Sequence, residues 1–263
     1  MTKRSIPYGK QHITEEDIAS VVKVLKSDFL TQGPMIEKFE SHFANYVGSR
    51  FAVAVSNGTA ALQLSALSMN VKPGDKVITT PITFAATANC IKYLGGEVVF
   101  CDIDKNTLLL DLIKVEEMLQ SSPAGTYKGI IPVDFAGRAV NLERLKKIAD
   151  KYGCWIIEDA CHAPGGDFID SSNINQRCGN GNFANLAIFS FHPVKHIACG
   201  EGGMITTNDE ALFIKLKQLR THGIIRDKEK FKNSIEFSIG EKIENKKELN
   251  FPSWYMEMQE LGY

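Results

Sequence analysis

No stretch of this 263-residue chain stays apolar for roughly 18 residues, the length a membrane-spanning helix needs. The opening Met1-Thr2-Lys3-Arg4-Ser5-Ile6-Pro7 leads into no hydrophobic export-signal core, so the chain is expected to stay in the cytoplasm. An excess of charge is also lacking. The 30 Lys and Arg against 31 Asp and Glu leave a net charge of −1, which gives nucleic acid or an anionic membrane nothing to grip. The six cysteines, Cys90, Cys101, Cys154, Cys161, Cys178 and Cys199, include no pair at two-residue spacing. Reduced, packed thiols are therefore expected rather than a zinc knuckle or a redox couple. Cys161 and His162 adjoin, but neighbours on a strand face opposite ways, which speaks against a nucleophile and its base. His192 and His196 have the spacing of helical metal ligands, yet Pro193 and the nearby glycines oppose a helix, and no metal is expected.

What is present reads as an ordinary globular chain, 44% hydrophobic and 23% charged, long enough for one large α/β domain with part of a second. Thr14 with Asp17 signals a capped helix running to about Ser27; Pro34 suits the first turn of the next, and Gly48 its end. From Phe51 onward, short apolar runs at residues 51–55, 76–79, 97–101, 129–133, 154–157, 186–189 and 204–206 read as strands. Helical stretches near residues 60–69, 85–93, 111–119, 142–152 and 209–220 separate them. Val- and Ile-rich strands alternating with helices predict an α/β fold with a mostly parallel sheet covered on both faces. Residues 227–250 are rich in Lys and Glu with little apolar periodicity, and a mobile surface connection is expected there.

One constellation carries chemistry. Ser190-Phe191-His192-Pro193-Val194-Lys195, closed by Gly200-Glu201-Gly202-Gly203, presents a lysine in a short glycine-flanked loop after a buried-looking run. Small residues let such a loop approach a flat ligand, and desolvation there would make the amine nucleophilic. Upstream, the apolar strand ending Ile156-Ile157-Glu158-Asp159 delivers a carboxylate. A lysine and a strand-end carboxylate are the parts a pyridoxal phosphate site needs: an amine to condense with the aldehyde, and an acid to keep the pyridine nitrogen protonated. Gly58-Thr59-Ala60 follows a strand and opens a helix, a place suited to phosphate, although alone it reads as well as a simple turn.

The chain resembles the sugar aminotransferases of the DegT/StrS type, members of fold type I of the pyridoxal phosphate enzymes. The residues that carry the resemblance are Ser56-Asn57-Gly58-Thr59-Ala60-Ala61-Leu62, Thr80-Pro81-Ile82-Thr83-Phe84-Ala85-Ala86-Thr87-Ala88-Asn89, Glu158-Asp159-Ala160-Cys161-His162-Ala163 and the run from Ser190 to Gly203. Within that family, the threonine-rich run, Arg220-Thr221-His222-Gly223-Ile224 and Trp254-Tyr255-Met256-Glu257-Met258-Gln259-Glu260-Leu261-Gly262 are most similar to the branch serving pseudaminic acid biosynthesis.

The resemblance implies pyridoxal 5′-phosphate as cofactor and Lys195 as the residue that carries it and moves protons. It implies Gly58, Thr59 and Ser190 at the phosphate, Asp159 at the pyridine nitrogen, His162 at the ring hydroxyl and Phe84 stacked on the ring. Read without it, Asp159 could cap a helix, Ser190 could bond its own backbone, His162 could be structural and Phe84 plain core. Tyr8 and Asp28-Phe29-Leu30-Thr31 match segments that touch a nucleotide-sugar substrate. The implied reaction passes an amino group from glutamate to a nucleotide-linked 4-keto-6-deoxy sugar, in a homodimer. A sugar dehydratase of the same family would carry histidine in place of Lys195. Residues 1–226 are expected to form the cofactor-binding large domain, and 227–263 a connection and the start of a small domain that the family completes beyond this point. On that view the 263 residues alone could be an inactive remnant, binding cofactor poorly and associating through Trp254, Tyr255 and Met258.

Overall fold

The structure is a computed structural model describing Pro7 and residues 9–240 and 250–263. Helix α1 (Glu15–Leu25) starts as its sequence predicts, with a reciprocal cap: Asp17 N–H donates to the Thr14 hydroxyl, and Thr14 N–H donates to the Asp17 carboxylate at 2.8 Å. Helix α2 (Pro34–Val47) has its proline in the first turn and ends at Gly48, whose φ of +86° lies in the left-handed region that glycine enters without strain.

The alternating part of the chain then runs β1 (Phe51–Val55), α3 (Gly58–Ser68), β2 (Lys76–Thr79), α4 (Ala85–Tyr93), β3 (Glu97–Phe100), α5 (Leu112–Gln120), β4 (Tyr127–Ile131), α6 (Leu142–Tyr152) and β5 (Trp155–Asp159). A small hairpin of β6 (Asp167–Ile169) and β7 (Asn175–Arg177) intervenes before β8 (Leu186–Ser190), β9 (Gly203–Thr207) and α7 (Glu210–Leu219). Seven strands form one sheet in the order β1-β9-β8-β5-β4-β2-β3. Strands β3, β2, β4, β5 and β8 pair in parallel; β9 is antiparallel to both β8 and β1, so β1 runs with the majority. The mostly parallel α/β fold expected from the sequence is the fold observed.

Period-two alternation sends successive residues of each strand to opposite faces. Ile78, Ile130 and Ile156 pack under α5 and α6, while Ile131, Ile157 and Ile188 pack against α3, α4 and α7; all six are fully buried. Truncating any one to alanine is worth about 2–5 kcal/mol of lost stability at such sites. Helix α3 is largely buried on the second side, and its Ala60, Ala61 and Ala66 allow the close approach.

The hairpin β6–β7 was not foreseen, because its strands are three residues long and largely polar. Its turn is set by Asp170, whose carboxylate accepts from the N–H groups of Ser172 and Ile174, both at 2.9 Å. Near the end of the described chain, β10 (Ile224–Ile225) pairs antiparallel with β11 (Glu257–Met258). Buried Glu257 accepts from the N–H groups of Lys232 and Asn233, and Tyr255 packs with Phe231 and Phe251, so it finds cover within the chain. Trp254 stays 66% exposed.

Candidate active site

Because the parallel strands share a direction, their carboxyl ends meet along one edge of the sheet, and antiparallel β9 begins there. That edge is where ligands collect in open α/β sheets. It gathers Asn57 after β1, residues 80–84 after β2, Asp159 at the end of β5, Ser190 at the end of β8 and Gly203 at the start of β9. Between them opens a cavity of about 800 Å³.

One corner is made by the start of α3. Asn57 caps the helix by accepting from Ala60 N–H at 2.8 Å, leaving the first two N–H groups, of Gly58 and Thr59, without intrahelical acceptors at the cavity wall. The Ser190 hydroxyl stands beside them. A Cβ at Gly58 would lie 2.9 Å from the Ser190 Cβ, and one at Gly203 would lie 2.6 Å from the Asn57 carbonyl. Glycine at both positions therefore lets strand ends and helix start close on one another, giving a corner of N–H donors and a hydroxyl suited to a dianionic phosphate.

Asp159 also lines the cavity and is only 4% exposed. Its Oδ2 accepts from the Thr87 hydroxyl at 2.8 Å and its Oδ1 from Cys161 N–H at 3.2 Å. His162 accepts a bond on Nδ1 from Ala136 N–H at 3.3 Å, which places its ring proton on Nε2. Burial first, and then the neighbouring charge of Lys195, hold the imidazole below its ordinary pKa, so at neutral pH it is a neutral Nε2–H donor.

Lys195 also lines the cavity, its N–H bonded to the His192 carbonyl at 2.8 Å. The loop is more open than the sequence suggests. Lys195 is half-buried between the exposed residues His192, Val194 and His196, so the described residues do not supply the desolvation expected there. Phe84 is the N-cap residue of α4, lines the cavity and is 75% exposed.

Lys195, Asp159, His162, Ser190, Phe84, Gly58 and Thr59 thus line a single cavity. Asp28, Phe29, Leu30 and Thr31 do not line it; they form an exposed turn between α1 and α2, next to Gln32 and Gly33 on a neighbouring groove that shares Glu201 with the cavity. Tyr8 lies outside the described residues, although Gly9 runs past Val194 in the lysine loop.

The strand-face placement expected for Cys161 and His162 does not hold. Strand β5 ends at Asp159, so Cys161 and His162 sit in a turn rather than on opposite strand faces, and both line the cavity. Cys161 is still no nucleophile, because burial and then the adjacent Asp159 push its thiol well above the ordinary range. Thr83 and Thr87 were missed as site residues. Their signal, two threonines four apart at a helix start, has no meaning until the helix is placed against β5.

The wall meets the demands of pyridoxal 5′-phosphate: N–H donors and a hydroxyl for phosphate, a carboxylate held by two hydrogen bonds, an amine and a volume in the usual range for such ligands. The sequence pattern of the DegT/DnrJ/EryC1/StrS aminotransferase family matches residues 11–247. The chain belongs to this family. Among DegT/DnrJ/EryC1/StrS relatives, the spore coat polysaccharide biosynthesis protein SpsC of Bacillus subtilis is 39% identical over 219 residues, covering 83% of this chain and 54% of SpsC. Helicobacter pylori PseC, an aminotransferase involved in the biosynthesis of pseudoaminic acid, superposes with a TM-score of 0.77 at 28% identity over 99% of this chain and 61% of PseC. The putative sugar aminotransferase Spr1654 from Streptococcus pneumoniae, in its PLP-form, gives 0.78 at 26% identity, over 99% and 62% of the two chains. The same protein is also known in a PMP-form. The chain thus spans 54–62% of the length of these relatives. No helix among the described residues is long and apolar enough to cross a membrane.

Proposed function

We propose that the protein is a pyridoxal phosphate-dependent aminotransferase that passes an amino group from glutamate to a nucleotide-linked 4-keto-6-deoxy sugar of the pseudaminic acid type. The observation that carries this reading is the single cavity in which Lys195 and Asp159 face a helix N-terminus built for phosphate. Family membership supports aminotransfer, and the resemblance to sugar aminotransferases supports a sugar acceptor.

When bound, the cofactor supplies an electron sink for the charge left on the donor α-carbon. The Gly58 and Thr59 N–H groups and the Ser190 hydroxyl hold the phosphate. The Asp159 carboxylate would accept a hydrogen bond from the ring N–H, a charge-assisted bond that would keep that nitrogen protonated. The His162 Nε2–H would donate to the ring hydroxyl, and Phe84 would cover one ring face. Lys195 Nζ would hold the cofactor, and as a free amine it would take the proton from the donor α-carbon and later release it. The return half of the reaction would use the same residues in reverse order on the sugar ketone.

Tyr8 and Asp28–Thr31 are assigned to the nucleotide-sugar, residues 1–226 to the cofactor-binding unit, 227–263 to a connection and the start of a second unit, and the active assembly to a homodimer. The test reduces the protein with borohydride in the presence of cofactor and maps the adduct by mass spectrometry. It then compares amino transfer from glutamate to UDP-linked 4-keto-6-deoxy sugars and to simple keto acids. A lysine adduct at Lys195 and preference for the nucleotide-sugar are expected. Absence of any lysine adduct would overturn the reading, and preference for keto acids would overturn its substrate.

A further inference from the structure

The Asp159 carboxylate is held on both oxygens, and one of the two donors comes from a helix distant in sequence. Thr87 stands in the first turn of α4, completely buried, 72 residues before Asp159. Helical threonines commonly turn their hydroxyl back on their own helix. This one reaches across to the end of β5, donating to Oδ2 at 2.8 Å. Its oxygen also lies 2.7 Å from the Thr83 hydroxyl. A hydroxyl has one proton, and that of Thr87 is committed to the carboxylate, so Thr83 is the donor of the second bond. Thr83 in turn lines the cavity. The result is a directed chain, from the cavity surface through Thr83 and Thr87 to the acid at the floor.

The chain has a consequence for orientation. With Cys161 N–H on Oδ1 and Thr87 on Oδ2, turning the carboxylate breaks two bonds in a site where neither oxygen has bulk water to replace them. The same helical turn presents both Phe84 and Thr87 to the cavity, joined by a Thr87 N–H bond to the Phe84 carbonyl at 3.1 Å. Covering ring and gripping acid are thereby fixed relative to each other by one rigid segment.

We propose that Thr87, backed by Thr83, is the positioning residue that holds Asp159 in the one orientation that grips the cofactor's ring nitrogen. This rests on the reading of the cavity as a pyridoxal phosphate site. The experiment compares Thr87→Val, which keeps shape and loses the hydroxyl, with Thr87→Ser, which keeps the hydroxyl, and with Thr83→Val. Two quantities are read in each: the cofactor dissociation constant from a fluorescence titration, and the pH midpoint of the bound cofactor's absorbance change. Thr87→Val is expected to weaken binding about tenfold and move the midpoint, as loss of a bond to a charged group does, while Thr87→Ser restores both. A smaller shift in the same direction is expected for Thr83→Val, which decides the matter should Thr87→Val fail to fold.

Wild-type affinity and midpoint in both valine variants would overturn the proposal while leaving the cofactor reading intact. A wild-type protein that takes up no cofactor would instead sink the reading of the cavity. In that case a Thr87→Val and Asp159→Ala double-mutant cycle, measured by denaturation of the cofactor-free protein, shows whether the bond exists. Coupling there without cofactor binding leaves Thr87 a structural residue only, and overturns its positioning role.

Discussion

Asp134 and Glu158 place their carboxyl groups side by side in the protein interior, with the Cys178 thiol completing a cluster whose oxygen and sulfur atoms lie within 4.8 Å of one another. Glu158 precedes Asp159 on β5 and faces the other way, accepting from Gly179 N–H on both oxygens. Asp134 accepts from Val140 N–H on Oδ1, while its buried Oδ2 has no ordinary donor. A proton on Glu158 provides that donor. Burial raises the pKa of both acids, and the proximity of Asp134 raises Glu158 further, so the pair holds a proton that two free carboxyl groups would release.

The pair therefore ties stability to pH. Both folded values lie above the ordinary 3.8 and 4.5, so the native state binds more protons than the unfolded chain. The contribution is complete below about pH 4 and is lost as pH rises through the folded values. Glu158→Gln substitutes a permanent N–H donor toward Asp134 and keeps an acceptor for Gly179. Its melting temperature relative to wild type is expected to climb between pH 5 and pH 8, by about 2–4 °C for each kcal/mol of linkage removed. Thermal scans across that range check this; parallel curves for the two proteins would show that no proton is shared.

Lys195→Ala is expected to abolish the reducible lysine adduct and amino transfer while leaving the fold intact, because the side chain is half-buried in an open loop and packs little. Mass spectrometry after borohydride treatment, beside circular dichroism, makes the check. A surviving adduct on another lysine would displace Lys195 from its role.

Asp159→Asn keeps the shape and can still accept from Thr87, but it loses the charge that a protonated ring nitrogen requires. The glutamate half-reaction, followed in single turnovers, is expected to slow by at least ~10-fold, well beyond any change in stability. Unchanged single-turnover rates would remove Asp159 from the chemistry.

The sequence made the scaffold legible where the cause is local. The Thr14–Asp17 cap, the proline start and glycine end of α2, and the apolar strands alternating with helices all depend on residues within a few positions of one another. The direction of β9 was not legible, because an apolar run carries no sign of whether it runs with or against its neighbours. Lys195, Asp159 and Ser190 could be singled out through their place at strand ends and through the resemblance. Thr87 and the Asp134–Glu158 pair could not, since each depends on which strand end a distant helix or loop meets.

Gly58→Ala tests the phosphate corner. Its new Cβ would stand 2.9 Å from the Ser190 Cβ, against a strand end that has no room to yield. Pyridoxal 5′-phosphate affinity is expected to fall, while that of pyridoxal, which has no phosphate to place, changes little. Competition by inorganic phosphate should weaken in parallel. Equal losses for both forms of the vitamin would mean that Gly58 serves packing and not the anion.

Half-buried Arg220 and buried Glu40 form an ion pair beside the outer edge of β1. Ala54 N–H donates to the Glu40 carboxylate at 2.9 Å, and the Ala54 carbonyl accepts from Arg220 at 2.9 Å, so α2 and the end of α7 together satisfy both backbone groups of Ala54 on an edge strand. Arg220→Met removes the cation and leaves Glu40, 6% exposed, as an unpaired buried charge. Such a loss costs about 3–5 kcal/mol, a large share of a domain's total stability. Adding Glu40→Gln to Arg220→Met removes the stranded charge while retaining an acceptor for Ala54, so the double variant should recover part of that loss. Urea denaturation of the three proteins gives the comparison. If the double variant is as unstable as the sum of its singles, the damage lies in lost packing rather than in the orphaned carboxylate.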